Sequence, residues 1–230
     1  MNAMISNPFA CLEKRDWALW LGSLAVVLLS NCFSGTADPL NIITVCVGAT
    51  LLIFLAKGNV WGQILTVVFG LLYGIQSIRF RYWGEVLTYV GMTAPMAITA
   101  TVAWLRHPDD SGSTVAIGRL TPKKLTAAVL SSVIAATAAY IVLKAAHTPN
   151  LTVSTLSVFT SFLACVLTYL RSPWYAAAYA CNDVVLIVLW LLASLQNPLY
   201  IPVMVNFAVF FVNDLYGLMC WRKRAACGNS

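Results

Sequence analysis

Hydrophobic and polar positions alternate along this chain in long blocks. Seven apolar runs, Leu40–Ala56, Val60–Ile78, Trp83–Leu105, Leu125–Ala146, Leu151–Leu170, Trp174–Leu195 and Leu199–Trp221, are separated by polar breaks. A membrane-spanning helix needs about 20 mostly apolar residues to cross ~30 Å of hydrocarbon, whereas a barrel strand needs about 9–11 residues of strict alternation. None of the runs alternates, so the pattern predicts helices. The breaks carry residues that end helices: Asp38-Pro39, Lys57-Gly58-Asn59, Arg79 to Arg81, Arg171-Ser172-Pro173 and Asn197-Pro198. An earlier apolar run, Trp17–Phe33, follows Glu13-Lys14-Arg15-Asp16. Charge followed by an apolar stretch is the order of a signal peptide, but this run holds Trp17 and Trp20 and lacks a small-x-small cleavage site. It reads as a retained helix, spanning the bilayer or lying in its interface.

The seven runs carry an internal repeat. Trp61 and Trp174 each follow a short basic break, and Trp104 and Trp221 each close a third run just before Arg106 or Arg222. The runs thus read as three helices, one linker and three helices, the linker letting both units enter the membrane in the same sense. The expected architecture is an all-α polytopic transmembrane bundle with a 3+1+3 parallel-repeat core of seven helices plus an N-terminal helix. Its expected parts are an N-terminal segment over 1–37, a first repeat over 38–106, a loop and linker helix over 107–148, a second repeat over 149–224 and a tail over 225–230.

Composition agrees. Hydrophobic residues make up 60% and charged residues 10% of the 230, against about 45–50% and 25% in soluble domains. The net charge of +6 does not point to nucleic acid, because the basic residues sit in short clusters between apolar runs. If the first run spans, one face of the bundle receives Lys14, Arg15, Lys57, Arg106, Arg119, Lys123, Lys124, Arg171, Arg222, Lys223 and Arg224, and the other only Arg79, Arg81 and Lys144. The basic face, with the C-terminus, is expected to be cytoplasmic. The seven cysteines include no Cys-x-x-Cys pair and read as apolar packers, so neither a metal nor a cofactor is expected.

Polar groups inside apolar runs are costly and mark cavities or functional sites. Asn182 and Asp183 lie ~12–14 Å in from Trp174, while Asn206 and Asn213 lie ~10 and ~21 Å in from Leu199, with Asp214 beside them. Asn206 and Asn213 share one helical face, as do Asp183 and Trp190. In the second run Gln63, Thr66, Gly70, Tyr73 and Ser77 form one stripe, with Gln76 next to Tyr73. For Gln63, Thr66 and Ser77, hydrogen bonding between helices is the plainer role. For the two aspartates the expected company is a cavity, a cation or a shared proton, since no Lys or Arg lies at their depth. The expected pocket gathers Asn182, Asp183, Trp190, Asn206, Asn213, Asp214, Tyr216, Gln76 and Tyr73 near the bilayer middle. Aromatic rings there suit a planar cation.

The three-one-three order, Asn59-Val60-Trp61-Gly62 opening a helix, and Asn213-Asp214-Leu215-Tyr216-Gly217 ahead of Trp221 together resemble the PnuC family of vitamin transporters. The resemblance covers about residues 38–224. A Trp-x-x-Trp pair frequent in that family's sixth helix is absent here, where the region reads Trp174-Tyr175-Ala176-Ala177-Ala178-Tyr179. The resemblance implies a fold related to the sugar-transporting SWEET proteins. It also implies facilitated diffusion of nicotinamide riboside across a bacterial inner membrane by alternating access, with trapping by phosphorylation inside. That substrate is a pyridinium cation with ribose hydroxyls and a carboxamide, which suits carboxylates, rings, Asn and Gln. The expected partners are the substrate and the lipid bilayer; a homo-oligomer is compatible with both. Rival readings are transport of thiamine, riboflavin or a sugar, and an intramembrane enzyme using Asp183 and Asp214. The enzyme reading is disfavoured because His107 and His147 both fall in loops, and the chain has no phosphate-binding G-x-x-x-x-G-K-[ST] loop.

Overall fold

The computed structural model describes residues 5, 7–33, 39–79 and 82–227. Among these the elements are α1 (Lys14–Phe33), α2 (Pro39–Lys57), α3 (Val60–Arg79), α4 (Trp83–Leu105), α5 (Pro122–Ala145), α6 (Leu151–Tyr169), α7 (Tyr175–Gln196) and α8 (Ile201–Cys227), with 3-10 turns at Pro8–Cys11 and Pro198–Tyr200. The seven helices α2 to α8 are each long and apolar enough to cross a membrane. Asp38, Arg81 and the last three residues of the expected tail lie outside the described residues.

The helices match the apolar runs closely, and the boundary differences have local causes. α5 starts three residues early, at Pro122, because the Thr121 side chain caps it by accepting from Lys124 N, and proline at the first position has no N–H to satisfy. α8 runs past Trp221 to Cys227. Its basic Arg222, Lys223 and Arg224 favour a helix C-terminus, and Arg224 is tied down as described below. α4 contains a π-helical segment at Leu87–Thr93, just before Pro95. Proline cannot donate to the preceding turn, and the wide turn absorbs the missing hydrogen bond. Gly70 of α3 packs there: a Cβ on it would come within 3.1 Å of Tyr89 O.

The bundle is polar inside and apolar outside. Gln63, Thr66, Gln76, Ser77, Glu85, Asn182, Asp183, Asn206, Asn213 and Asp214 are buried, while large apolar side chains such as Ile134 and Ile141 of α5 are 70% and 65% exposed. In hydrocarbon this arrangement leaves lipid facing the apolar side chains and keeps polar groups away from lipid. α1 lies antiparallel to α2 along its length. Asp16 pairs with Lys57 at 2.9 Å, the Trp20 indole donates to Thr50 Oγ1 at 3.1 Å, and Asn31 meets Asn41. These contacts, spread along α1, pack it lengthwise against the bundle.

The two basic breaks are built alike. Gly58 and Arg171 both have positive φ, 71° and 57°. Gly58 N donates to Leu55 O and Asn59 N to Phe54 O; Arg171 N donates to Thr168 O and Ser172 N to Leu167 O. Asn59 Oδ1 then caps Trp61 N, and Ser172 Oγ caps Trp174 N. The two closing tryptophans cross over: Trp104 Nε1 donates to Thr168 O at 3.0 Å and Trp221 Nε1 to Leu55 O at 2.9 Å, with ring centroids 5.6 Å apart. The loop between α4 and α5 ties this end together. Val115 N donates to Gly58 O and Gly118 N to Arg171 O, both at 2.9 Å. Arg224 donates to Val115 O at 2.7 Å and to Thr114 Oγ1 at 2.9 Å. A side chain on Gly58 would displace the Arg224 guanidinium from this place, and the positive φ favours glycine.

Candidate functional site

The α3 stripe read from the sequence faces inward: Gln63, Thr66, Gly70, Tyr73 and Ser77 are all buried, as is Gln76. The hydroxyls of Thr66 and Ser77 are spent on their own helix, donating to Gly62 O and Tyr73 O at 2.8 Å each. Tyr73, Gln76 and Ser77 line a cavity of about 290 Å³ between α2, α3, α7 and α8, at the end of the bundle away from the basic breaks. Asn41, Arg79, Trp190, Tyr200 and Asn206 line it as well. Aromatic rings pack together in its wall: centroids of Trp190 and Tyr200 are 5.6 Å apart and those of Phe69 and Tyr73 5.5 Å. Tyr82 packs on Trp190 at 4.8 Å and Tyr89 on Tyr73 at 4.6 Å.

Asn182, Asp183 and Asp214 line a second, smaller chamber of about 50 Å³, together with Thr66, Ser161 and Tyr179. Phe69, Phe207 and Phe210 border both spaces. Their rings touch, with centroids 5.7 Å (Phe69 to Phe210) and 5.6 Å (Phe207 to Phe210) apart. The expected single midplane pocket is therefore two chambers divided by a phenylalanine layer. The reason is spacing: Asn206 and Asp214 are eight residues, ~12 Å, apart along α8, and Phe207 and Phe210 fill the interval on the same inner face.

Two expected members lie elsewhere. Asn213 Nδ2 donates to Ser23 Oγ of α1 and to Val209 O, both at 2.8 Å. The Tyr216 hydroxyl donates to Asp16 Oδ1 at 2.6 Å. Neither residue borders either chamber. Depth along the helix points Asn213 to the pocket, and Tyr216 is expected there as an aromatic ring, but α1 occupies the α8 face they sit on.

Several buried polar atoms have no well-formed hydrogen bond among the described residues. They include Tyr73 Oη, Trp190 Nε1 and Asn206 Oδ1 at the larger cavity, and Asp183 Oδ2 at the smaller. Leaving such an atom unpaired costs about 1–3 kcal/mol, a cost that a ligand offering hydrogen bonds removes. Asn182 is better provided, since its Oδ1 accepts from Thr160 at 2.8 Å and from Ser161 at 2.9 Å. The Asp183 and Asp214 carboxyls lie within reach of each other. Like charges so close repel, and one cation or one proton between them relieves this.

Sequence reasoning missed Glu85. It is 2% exposed, in the first turn of α4, with Oε2 unpaired. The signal was present, a carboxylate two residues into an apolar run after Trp83, but the edge of a run reads as interface. Asn41 and the three phenylalanines were missed because one amide near a helix start, or apolar residues in an apolar helix, carry no pattern. Among the described residues no group of three or more His, Cys, Asp or Glu is placed to hold a metal ion.

This geometry has a counterpart among known proteins. The family model described as nicotinamide mononucleotide transporter matches residues 38–223. The chain is 25% identical over 214 residues to the nicotinamide riboside transporter PnuC of Neisseria mucosa, covering 90% of this chain and 80% of that one. A crystal structure of the vitamin B3 transporter PnuC superposes with a TM-score of 0.80 at 20% sequence identity, covering 94% of this chain and 93% of the other. Seven apolar spans, polar groups turned inward on a cavity and a family match over most of the chain lead to one conclusion: the protein belongs to the nicotinamide mononucleotide transporter family, the PnuC transporters, and is a multi-pass membrane transporter rather than an enzyme.

Proposed function

We propose that this protein carries nicotinamide riboside across a bacterial inner membrane by facilitated diffusion, with alternating access and with phosphorylation of the delivered substrate making uptake one-way. The observation that carries the proposal is the larger cavity, where aromatic rings, neutral amides and unpaired polar atoms meet. A pyridinium ring fits between such rings, with ~0.5–2 kcal/mol per cation–π contact when desolvated. Ribose hydroxyls and a carboxamide offer donors and acceptors to Gln76, Asn206, Tyr73 and Trp190. The relative from Neisseria mucosa carries nicotinamide riboside in its name, which supports the same substrate here.

In this reading the smaller chamber, with Asn182, Asp183 and Asp214, is a second station on the path, and the Phe69, Phe207 and Phe210 layer must part for passage. The basic end, with Lys57, Arg171 and the α8 C-terminus, faces the cytoplasm. The matched construction of the Gly58 and Arg171 breaks and the crossed bonds of Trp104 and Trp221 support two parallel three-helix units around a linker, α5.

The family model's description raises a phosphorylated substrate as a second reading, and Arg79 at the cavity gives it one basic contact. The rings and amides that form the rest of the wall favour the riboside. Proteoliposomes containing the purified protein test both. Labelled nicotinamide riboside should equilibrate across the membrane and be displaced by unlabelled riboside, but not by equal amounts of nicotinamide mononucleotide, thiamine, riboflavin or simple sugars. Imposed proton or sodium gradients should drive no accumulation. Displacement by one of the competitors with no riboside uptake would overturn the substrate, and gradient-driven accumulation would overturn facilitated diffusion.

A further inference from the structure

Three side-chain amides on three helices form a file that ends in the larger cavity. Asn31 of α1 donates from Nδ2 to Val27 O, one turn back, at 2.7 Å. Asn41 of α2 donates from Nδ2 to Asn31 Oδ1. Gln76 of α3 donates from Nε2 to Asn41 Oδ1 at 3.1 Å. Asn41 and Gln76 line the cavity, whereas Asn31 is fully buried and does not.

An isolated amide can turn over, because its two ends are nearly the same shape and differ only in donating or accepting. A file of amides removes that freedom. The Val27 carbonyl requires the nitrogen of Asn31, which leaves its oxygen for Asn41. Asn41 must then offer its nitrogen to Asn31 and its oxygen to Gln76. Gln76 must spend a donor on Asn41, and its Oε1 remains as an acceptor. We propose that Asn31 is a positioning residue for substrate recognition, acting through Asn41 to hold Gln76 with its carbonyl available as an acceptor for a hydroxyl or N–H of the substrate. α1 lies outside the residues matched by the family model, so family membership assigns it no part in the site. The inference rests on the proposed reading of the larger cavity as the nicotinamide riboside site.

The plainer role for Asn31 is to hold α1 on α2, as Ser23 of the same helix holds Asn213 of α8. Calorimetric titration of the purified protein with nicotinamide riboside separates the two, with thermal midpoints measured alongside. Asn31→Leu, which removes both ends of the amide, should weaken binding about tenfold. Asn31→Asp keeps an acceptor for Asn41 and should stay within about threefold of the parent. Ser23→Ala removes a bond between α1 and α8 and should leave affinity unchanged. In a Gln76→Ala background, Asn31→Leu should weaken binding no further, because its effect passes through Gln76. Parental affinity in Asn31→Leu, an equal loss in Ser23→Ala, or an additive loss with Gln76→Ala overturns the inference. If Asn31→Leu is not recovered folded, a tenfold loss in Asn31→Asp overturns it. A parent protein that binds no nicotinamide riboside overturns the reading of the cavity and this inference with it, whereas a binding parent with an equally binding Asn31→Leu overturns the inference alone.

Discussion

Asn206 and Asn213 sit two turns apart on one stripe of α8, and their surroundings differ. Both leave Oδ1 unpaired, but Asn206 borders the larger cavity, while Asn213 borders neither chamber and gives its amide nitrogen to Ser23 and Val209. The same substitution should therefore have different consequences. Asn206→Ala should weaken nicotinamide riboside binding roughly tenfold to a hundredfold, the equivalent of a lost hydrogen bond of about 1–3 kcal/mol. Asn213→Ala should lower the thermal midpoint and leave affinity near the parent's. Titration and thermal unfolding of both variants check this, and an affinity loss confined to Asn213→Ala would place the substrate path on the wrong side of α8. Glu85 teaches the converse lesson. A carboxylate at the edge of an apolar run reads as interfacial, and only the packing of the helices buries it.

At the scale of elements, helices and breaks were readable because each is set locally, by a run of apolar side chains or by residues such as Gly58 and Asn59 that end it. The loop between α4 and α5 was not. Its polar residues carry no pattern that names their partners, yet it is a fastener. Asp109 accepts from Ser111 Oγ at 2.6 Å and from Thr114, and its Oδ2 lies 3.7 Å from the Arg224 guanidinium. Burial by itself pushes the Asp109 carboxyl up, but the hydrogen bonds from Ser111 and Thr114, with the Arg224 charge, outweigh this and hold it below its ordinary value of 3.8. A carboxylate with a depressed folded pKa contributes stability that is complete above its unfolded value and is lost as pH falls through the folded one. The parent should therefore lose thermal stability on acidification below 3.8 more steeply than Asp109→Asn does. At neutral pH that variant should melt roughly 2–4 °C lower, the shift expected of about 1 kcal/mol. Parallel pH profiles of the two proteins would sink the fastener if they superimpose.

For the whole molecule, most basic residues of the described chain, though not Arg79 and Lys144, gather at one end, where the Gly58 and Arg171 breaks, the loop and the α8 C-terminus bind each other. This end should be cytoplasmic. A reporter active only in the cytoplasm, fused after Arg224, should be active; activity of a periplasm-specific reporter at that position would invert the orientation. α1 belongs to this scale as well. It buries Asp16, Ser23 and Asn31 against α2 and α8 and so changes which polar residues of those helices remain for the substrate.

The sequence alone determined the helices, their number and the inward direction of the polar stripes. These follow from the length of apolar runs and the cost of polar groups in hydrocarbon, which need no knowledge of neighbours. It also determined that Tyr73, Gln76, Asn182, Asp183, Trp190, Asn206 and Asp214 would lie inside. Only the tertiary structure decided which of them share a space, because two residues on one helical face meet the same cavity only when nothing fills the interval between them. Phe207 and Phe210 fill that interval on α8, and α1 takes Asn213 and Tyr216 out of the set altogether.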